Sequence, residues 1–175
     1  MIKLNMQSTS NYSFETYSYN NNERLGELND FYSLDKSEFN FPWSSEEWEN
    51  VGLSDDQHYL AGIYMDKILI GFILFRLILP NELSHLLKIL ISVKFRGRGL
   101  GDELLRYASD ELSEKGFMKM YLEVEKDNLS AQRFYLKHGF EIIHCKKKFY
   151  SNGQDALMLQ RVYSQNNRKY SQKSQ

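Results

Sequence analysis

One cysteine, two prolines and four scattered histidines are all that this chain of 175 residues offers to chemistries that need such side chains in groups. Cys145 has no partner for an internal disulfide and cannot join a cysteine-based zinc cluster, which leaves it the part of a small buried hydrophobe in a strand. His58, His85, His138 and His144 stand far apart, without H-E-x-x-H or a similar ligand spacing, so no metal is expected. Charge of one sign is missing too. Twenty-two basic side chains face 23 acidic ones, so no overall field draws the protein to nucleic acid or to an anionic membrane. The longest apolar run, ILIGFILFRLIL at 68–79, is shorter than the roughly 20 residues of a membrane span and is interrupted by Arg76. The opening MIKLNMQSTS lacks the apolar stretch of a signal peptide, and the expectation is a cytoplasmic protein.

What is present is globular: 42% hydrophobic and 26% charged residues, enough for one domain with a proper core. Residues 1–11 carry no periodicity and read as a flexible N-terminal segment. Residues 164–175, SQNNRKYSQKSQ, read as a disordered basic tail, solvated in preference to bound. Between them, 12–163 form the expected domain.

Its elements alternate in period. A strand is predicted over 11–19 and a helix over 22–35. In FPWSSEEWENV, Ser44 and Glu47 have the spacing of a capping box, and Trp43 and Trp48 that of a hydrophobic staple. HYLAGIYM and KILIGFILFRLIL form a hairpin through Met65–Asp66–Lys67, and SHLLKILISV (84–93) is the next strand. Leu100, Leu104, Leu105, Ala108 and Leu112 recur at helical spacing up to Gly116. FMKMYLEVE (117–125) is strand, Asn128 caps a short helix ending at Gly139, and FEIIHCKKKFY and DALMLQRV close the chain as a hairpin across SNGQ. The order β-α-α-β-β-β-α-β-α-β-β, dominated by hairpins, gives an α+β, three-layer fold with a mostly antiparallel sheet and helices on its faces.

The stretch FRGRGLGDELL (95–105) fuses a cationic glycine turn to the start of a helix. A P-loop would end in Gly-Lys-Ser/Thr, but Gly101 is followed by Asp102 and Glu103. The dinucleotide fingerprint G-x-G-x-x-G fails from either Gly97 or Gly99. What remains is R-x-x-G-x-G, in which glycines let backbone N–H groups converge while the helix adds its positive end. That suits a pyrophosphate, although a plain tight connection explains the turn equally well.

The downstream motifs decide between them. FPWS at 41–44, ILISVKFRGRGLG at 89–101, LEVEKDN at 122–128, SAQRFYLKHGFE at 130–141, and Tyr150 with Asp155–Ala156 resemble those of the GNAT (Gcn5-related) N-acetyltransferases. Within that superfamily they are most similar to the bacterial enzymes that acetylate the N-terminal alanine of a small-subunit ribosomal protein. The resemblance implies a GNAT-type mixed, mostly antiparallel seven-stranded sheet and acetyl-CoA as the co-substrate. It maps the pyrophosphate to Arg96, Gly97, Arg98, Gly99, Leu100, Gly101 and Asp102, and the pantetheine arm to the backbone of Ile89, Leu90 and Ile91. Asn128 would hydrogen-bond coenzyme A. Glu123 would be the general base and Tyr135 the acid that protonates the leaving thiolate, with backbone N–H near Ile91 polarising the thioester oxygen. Phe41, Trp43 and Tyr150 would border the acceptor.

Each assignment has a plainer counterpart. Glu123, between apolar Leu122 and Val124, could be a solvated strand carboxylate; Asn128 could be only a cap; Tyr135 could be a core aromatic beside Phe134; and FPWS could be only a staple and cap. The acceptor weighs on the choice. A terminal amine titrates near about 7.7–8.0 and lysine near about 10.4, so at neutral pH the former is uncharged roughly a few hundred times more often. A modest base, raised somewhat by burial, would serve an α-amine. The expected function is therefore transfer of acetyl to the N-terminal α-amine of a protein, plausibly a ribosomal one, by direct attack. The alternatives are acetylation of a small amine, such as a polyamine or aminoglycoside, and a non-catalytic CoA-binding module.

Overall fold

A computed structural model of the chain describes residues 12–17, 25–53 and 57–163. The elements are β1 (Tyr12–Thr16), α1 (Leu25–Glu38), α2 (Ser45–Leu53), β2 (His58–Met65), β3 (Ile68–Ile78), β4 (Leu83–Ile91), α3 (Leu100–Glu114), β5 (Lys119–Glu125), α4 (Leu129–Lys137), β6 (Glu141–Lys146) and β7 (Ala156–Val162). Short 3-10 turns at Leu79–Asn81 and Val93–Phe95 flank β4. The order is the one read from the sequence. The segments expected to be loose, 1–11 and 164–175, lie outside the described residues.

The strands form one seven-stranded sheet in the order β1-β2-β3-β4-β5-β7-β6, antiparallel except between β4 and β5. The final hairpin thus inserts β7 between β5 and β6, an arrangement that chain order does not reveal. Helices α1 and α2 cover one face, where Leu28, Phe31, Trp48 and Val51 pack on Leu60, Phe72, Leu74 and Leu90. Helix α3 covers the other, burying all five residues of its predicted stripe, and Tyr135 of α4 and Phe140 join the same core. At about 1.5–3 kcal/mol per buried leucine, that stripe alone fixes the helix to the sheet.

Several boundaries differ from expectation for identifiable reasons. Strand β4 stops at Ile91 because Phe95 N–H bonds back to Ser92 O at 2.8 Å and opens a 3-10 turn. The Asp66–Lys67 turn has φ of +50° and +65°, the mirror-image geometry whose twist matches a two-residue hairpin. In the last hairpin, Asp155 accepts from Lys148 N–H at 3.1 Å and from Lys147 Nζ at 2.8 Å. Its carboxylate replaces the next strand rungs, so β6 ends at Lys146 and a longer loop carries Phe149 and Tyr150.

Strand β4 carries a bulge. Leu86 pairs with Phe75 and Lys88 with Leu74, so Leu87 has no residue opposite it. Before the bulge, Ser84 and Leu86 face the α3 core; after it, Ile89 and Ile91 do, while Lys88 and Leu90 face α1 and α2. Pairing of β4 with β5 lasts only through Leu83/Lys119, Ser84/Met120 and His85/Tyr121. Beyond these three pairs the strands part.

Candidate active site

The parting of β4 and β5 opens a groove of about 1010 Å³. Its floor is the β5-facing edge of β4 from Leu86 to Ile91, against which no strand of the described residues pairs. Every donor-binding, catalytic and acceptor residue expected above lines this groove except Arg98. The Arg98 guanidinium instead lies over the Phe95 ring, 5.4 Å from its centroid, and donates to Lys94 O at 3.3 Å.

At one end stands the glycine turn. Gly97 and Gly99 have φ of +75° and +79°, a region that side chains with a Cβ disfavour, and a Cβ added at either would meet nothing within 4 Å. The turn therefore presents bare backbone to open space. Gly99 is the N-cap of α3 and offers no side chain to the helix's first amides, which leaves those of Leu100, Gly101 and Asp102 for a guest. Leu100 is itself core, and a Cβ added at Gly101 would come within 3.6 Å of Phe134 and 3.8 Å of Ile91. The Asp102 carboxylate is drawn sideways onto α4, 2.6 Å from His138 Nε2 and 3.0 Å from Lys137 Nζ, and these bonds hold it below the usual carboxylate range. Its negative charge is thus partnered within the protein. Arg96 is also engaged: Nε donates to Ile91 O at 2.8 Å, and Nη2 lies 3.7 Å from Glu38.

At the other end are Glu123, Tyr135 and Tyr150. Strand alternation sends Leu122 and Val124 into the core, so Glu123 faces the groove side. His85 Nε2 lies 2.6 Å from Glu123 Oε2, and Lys146 Nζ lies 3.7 Å from Oε1. These partners correct the expectation of a carboxyl raised by burial. The His85 hydrogen bond outweighs desolvation and lowers the Glu123 pKa. Tyr135 is buried between the rings of Phe134 and Phe140, at centroid distances of 5.3 and 5.5 Å, and burial raises its phenol well above the ordinary value. Tyr150 is pushed up to about 12 by burial, aided by the Glu125 and Glu123 carboxylates. Asn128 caps α4 through a 3.0 Å bond from Ala131 N–H, as its position predicts.

The third wall is the segment between α1 and α2. Both structural readings of FPWS hold: Ser44 N–H bonds to Glu47 Oε2 at 2.7 Å, Glu47 N–H to Ser44 Oγ at 3.2 Å, and the Trp43 and Trp48 rings lie 6.0 Å apart. Phe41 is 71% exposed at the lip of the groove, so packing does not account for it. What sequence reasoning missed is the anchor. Asp35, fully buried, accepts from Trp43 N–H and Trp48 Nε1–H at 2.9 Å each and from Lys88 Nζ at 2.7 and 2.8 Å. Lys88 in turn lies under Phe39 and Trp43, 4.4 and 4.9 Å from their centroids. Glu38 ties the end of α1 to the glycine turn through Ser92 Oγ at 2.8 Å and Val93 N–H at 3.2 Å. A lysine inside the apolar run LLKIL was the available signal; nothing nearby named its partner 53 residues upstream.

A glycine turn at a helix start, a parted pair of strands and a carboxylate beside two tyrosines form a recognisable set. The sequence profile of the acetyltransferase (GNAT) family matches residues 28–140. The chain belongs to that family. It is 31% identical over 140 residues to a Bacillus subtilis protein provisionally named a ribosomal protein bS18-alanine N-acetyltransferase, covering 79% of this chain and 91% of that one. It is 27% identical over 122 residues to the ribosomal protein bS18-alanine N-acetyltransferase of Salmonella typhimurium, covering 68% and 80%. Among solved structures, the Escherichia coli ribosomal-protein-S18-alanine N-acetyltransferase superposes with a TM-score of 0.77 over 90% of this chain and 97% of that one, at 20% identity. The GNAT fold and enzyme class are therefore those read from the motifs. Among the described residues, no helix of this acetyltransferase is long and apolar enough to cross a membrane.

Proposed function

We propose that this acetyltransferase moves acetyl from acetyl-CoA to the N-terminal α-amine of a protein, an alanine-initiated ribosomal protein being the leading candidate. The observation that carries the reading is one continuous groove with bare, positive-φ backbone at one end and Glu123, Tyr135 and Tyr150 at the other. The names and 27–31% identities of the relatives support the acceptor.

The fit of the donor rests on Gly97 and Gly99, where open space replaces side chains, and on the uncapped start of α3. These, with the unpaired edge at Ile89, Leu90 and Ile91, would hold the pyrophosphate and the amide-bearing pantetheine arm. Acetyl-CoA supplies a thioester whose carbonyl carbon the amine attacks and whose sulfur departs. Glu123 takes the proton the amine sheds, directly or across one water. Tyr135, kept protonated by its burial, gives its phenolic proton to the departing sulfur. Backbone N–H near Ile91 polarises the carbonyl oxygen. Phe41, Trp43 and Tyr150 wall the acceptor.

The lowered pKa of Glu123 sharpens the choice of acceptor. A weaker base suits an amine already uncharged in a useful fraction, which the α-amine is and lysine is not. The test is a panel of peptides with free Ala, Ser or Met termini, beside peptides with internal lysines and free polyamines, scored by mass. One acetyl on the α-amine, most readily on alanine, is expected. Acetyl found solely on lysine side chains or polyamines would overturn the assignment. On the preferred peptide, Glu123→Gln and Tyr135→Phe should each lower kcat by roughly a hundredfold or more while leaving CoA affinity intact. Unchanged turnover removes that residue from the chemistry.

A further inference from the structure

The groove leaves one short hydrogen bond unexplained. His85 does not line it, yet its ring is the firmest partner of a residue that does. We infer that His85 is a positioning residue for the proton acceptor: its neutral imidazole donates Nε2–H to Glu123 Oε2 and leaves Oε1 as the oxygen that takes the amine proton. The inference rests on the role proposed for Glu123.

The geometry argues for it in three ways. First, His85 sits at the last rung where β4 still pairs with β5, opposite Tyr121, so its backbone is fixed by strands on both sides. Second, its ring stacks on Tyr121 with centroids 4.1 Å apart and planes 12° from parallel, which locks the imidazole plane. Third, at 2.6 Å from an ionised carboxylate, the facing nitrogen must carry the hydrogen, because the carboxylate can only accept. A carboxylate on a strand that has lost its neighbour would otherwise be free to swing across the groove. His85 removes that freedom at the point where the sheet opens.

Charge surrounds the pair from each adjoining strand. Arg76 on β3 is the cross-strand partner of His85; Tyr121 and Glu123 lie on β5; Lys146 on β6 approaches Oε1; and Tyr150 comes from the last loop.

The experiment compares wild type with His85→Leu and His85→Gln, using whichever acceptor the wild type turns over. Leucine should lower kcat roughly ten- to a hundredfold, a share of the usual worth of a general base, with acetyl-CoA affinity unchanged. Glutamine, which places an N–H donor at similar reach, should restore most of the rate. Wild-type kcat in the leucine variant would overturn the inference, as would equal losses in both variants, which would mean simple packing. Nitrogen-15 NMR of histidine-labelled wild type gives a reading that needs no variant and no acceptor. The Nε2–H form at His85, its preference lost in Glu123→Leu where no acceptor remains, supports the inference, and an Nδ1–H form overturns it. Because that spectrum is independent of turnover, it stands apart from any failure of the peptide panel.

Discussion

Glutamate in place of Gly99 should abolish acetyl-CoA binding while leaving the fold intact. The position has φ of +79°, so any side chain there adds strain of about 1–2 kcal/mol. That is tolerable, because a Cβ built at Gly99 meets nothing within 4 Å. The damage is electrostatic and steric at the cradle. The new carboxylate stands where the first amides of α3 point, and against a phosphate charge at about 4 Å it costs about 4 kcal/mol at an effective dielectric of 20. That corresponds to nearly three decades of affinity. Gly99→Ala carries the strain without the charge and serves as the control. Calorimetric titration with acetyl-CoA and CoA, beside a circular dichroism melt, reads both parts. Wild-type affinity in the glutamate variant would remove the phosphate from this turn.

Asp35→Ala should cost about 3–5 kcal/mol of stability, out of the roughly 5–15 kcal/mol that hold an ordinary domain. The substitution strands a buried ammonium at Lys88 and, beside it, the donors of Trp43 N–H and Trp48 Nε1–H. Burial already lowers the Lys88 pKa, opposed by its bonds to Asp35; without Asp35 it should fall further. The sign of the pH dependence follows. Between the folded-state pKa of Lys88 and its higher unfolded value, the unfolded chain binds more protons, so stability rises with pH across that window. Urea denaturation of the variant should show its deficit shrinking as pH is raised above neutral. A deficit below 1 kcal/mol at pH 7 would show the pair to be dispensable. Asp35→Leu with Lys88→Met should recover much of the loss, since a well-packed apolar pair can replace a buried ion pair.

Local chemistry was legible in the sequence wherever a residue acts on its own neighbours. The capping box at Ser44 and Glu47, the leucine stripe of α3, the Asn128 cap and the two-residue turn at Asp66–Lys67 all sit within a few positions of their effects. The groove-lining set was also legible, because its members cluster in motifs that follow one another along the chain. What the sequence concealed were pairings across strands and layers. His85 and Glu123 are 38 residues apart, Asp35 and Lys88 are 53, and no periodicity joins them. The direction of the Glu123 shift was missed for the same reason: burial could be guessed from flanking apolar residues, but the imidazole opposite could not. The place of the Arg98 side chain was hidden too: a basic residue in a glycine turn gives no sign that its guanidinium will lie on Phe95, off the groove.

The unpaired Leu87 sets the curvature of its strand without deciding which face its neighbours take. Remove that single residue and regular alternation returns with no change of sides: Ser84 and Leu86 keep to the core under α3, Lys88 and Leu90 keep to α1 and α2, and His85 stays on the face of Glu123. The extra residue is thus a spare: shortening the strand by Leu87 should straighten it and leave both cores and the His85–Glu123 pair in place.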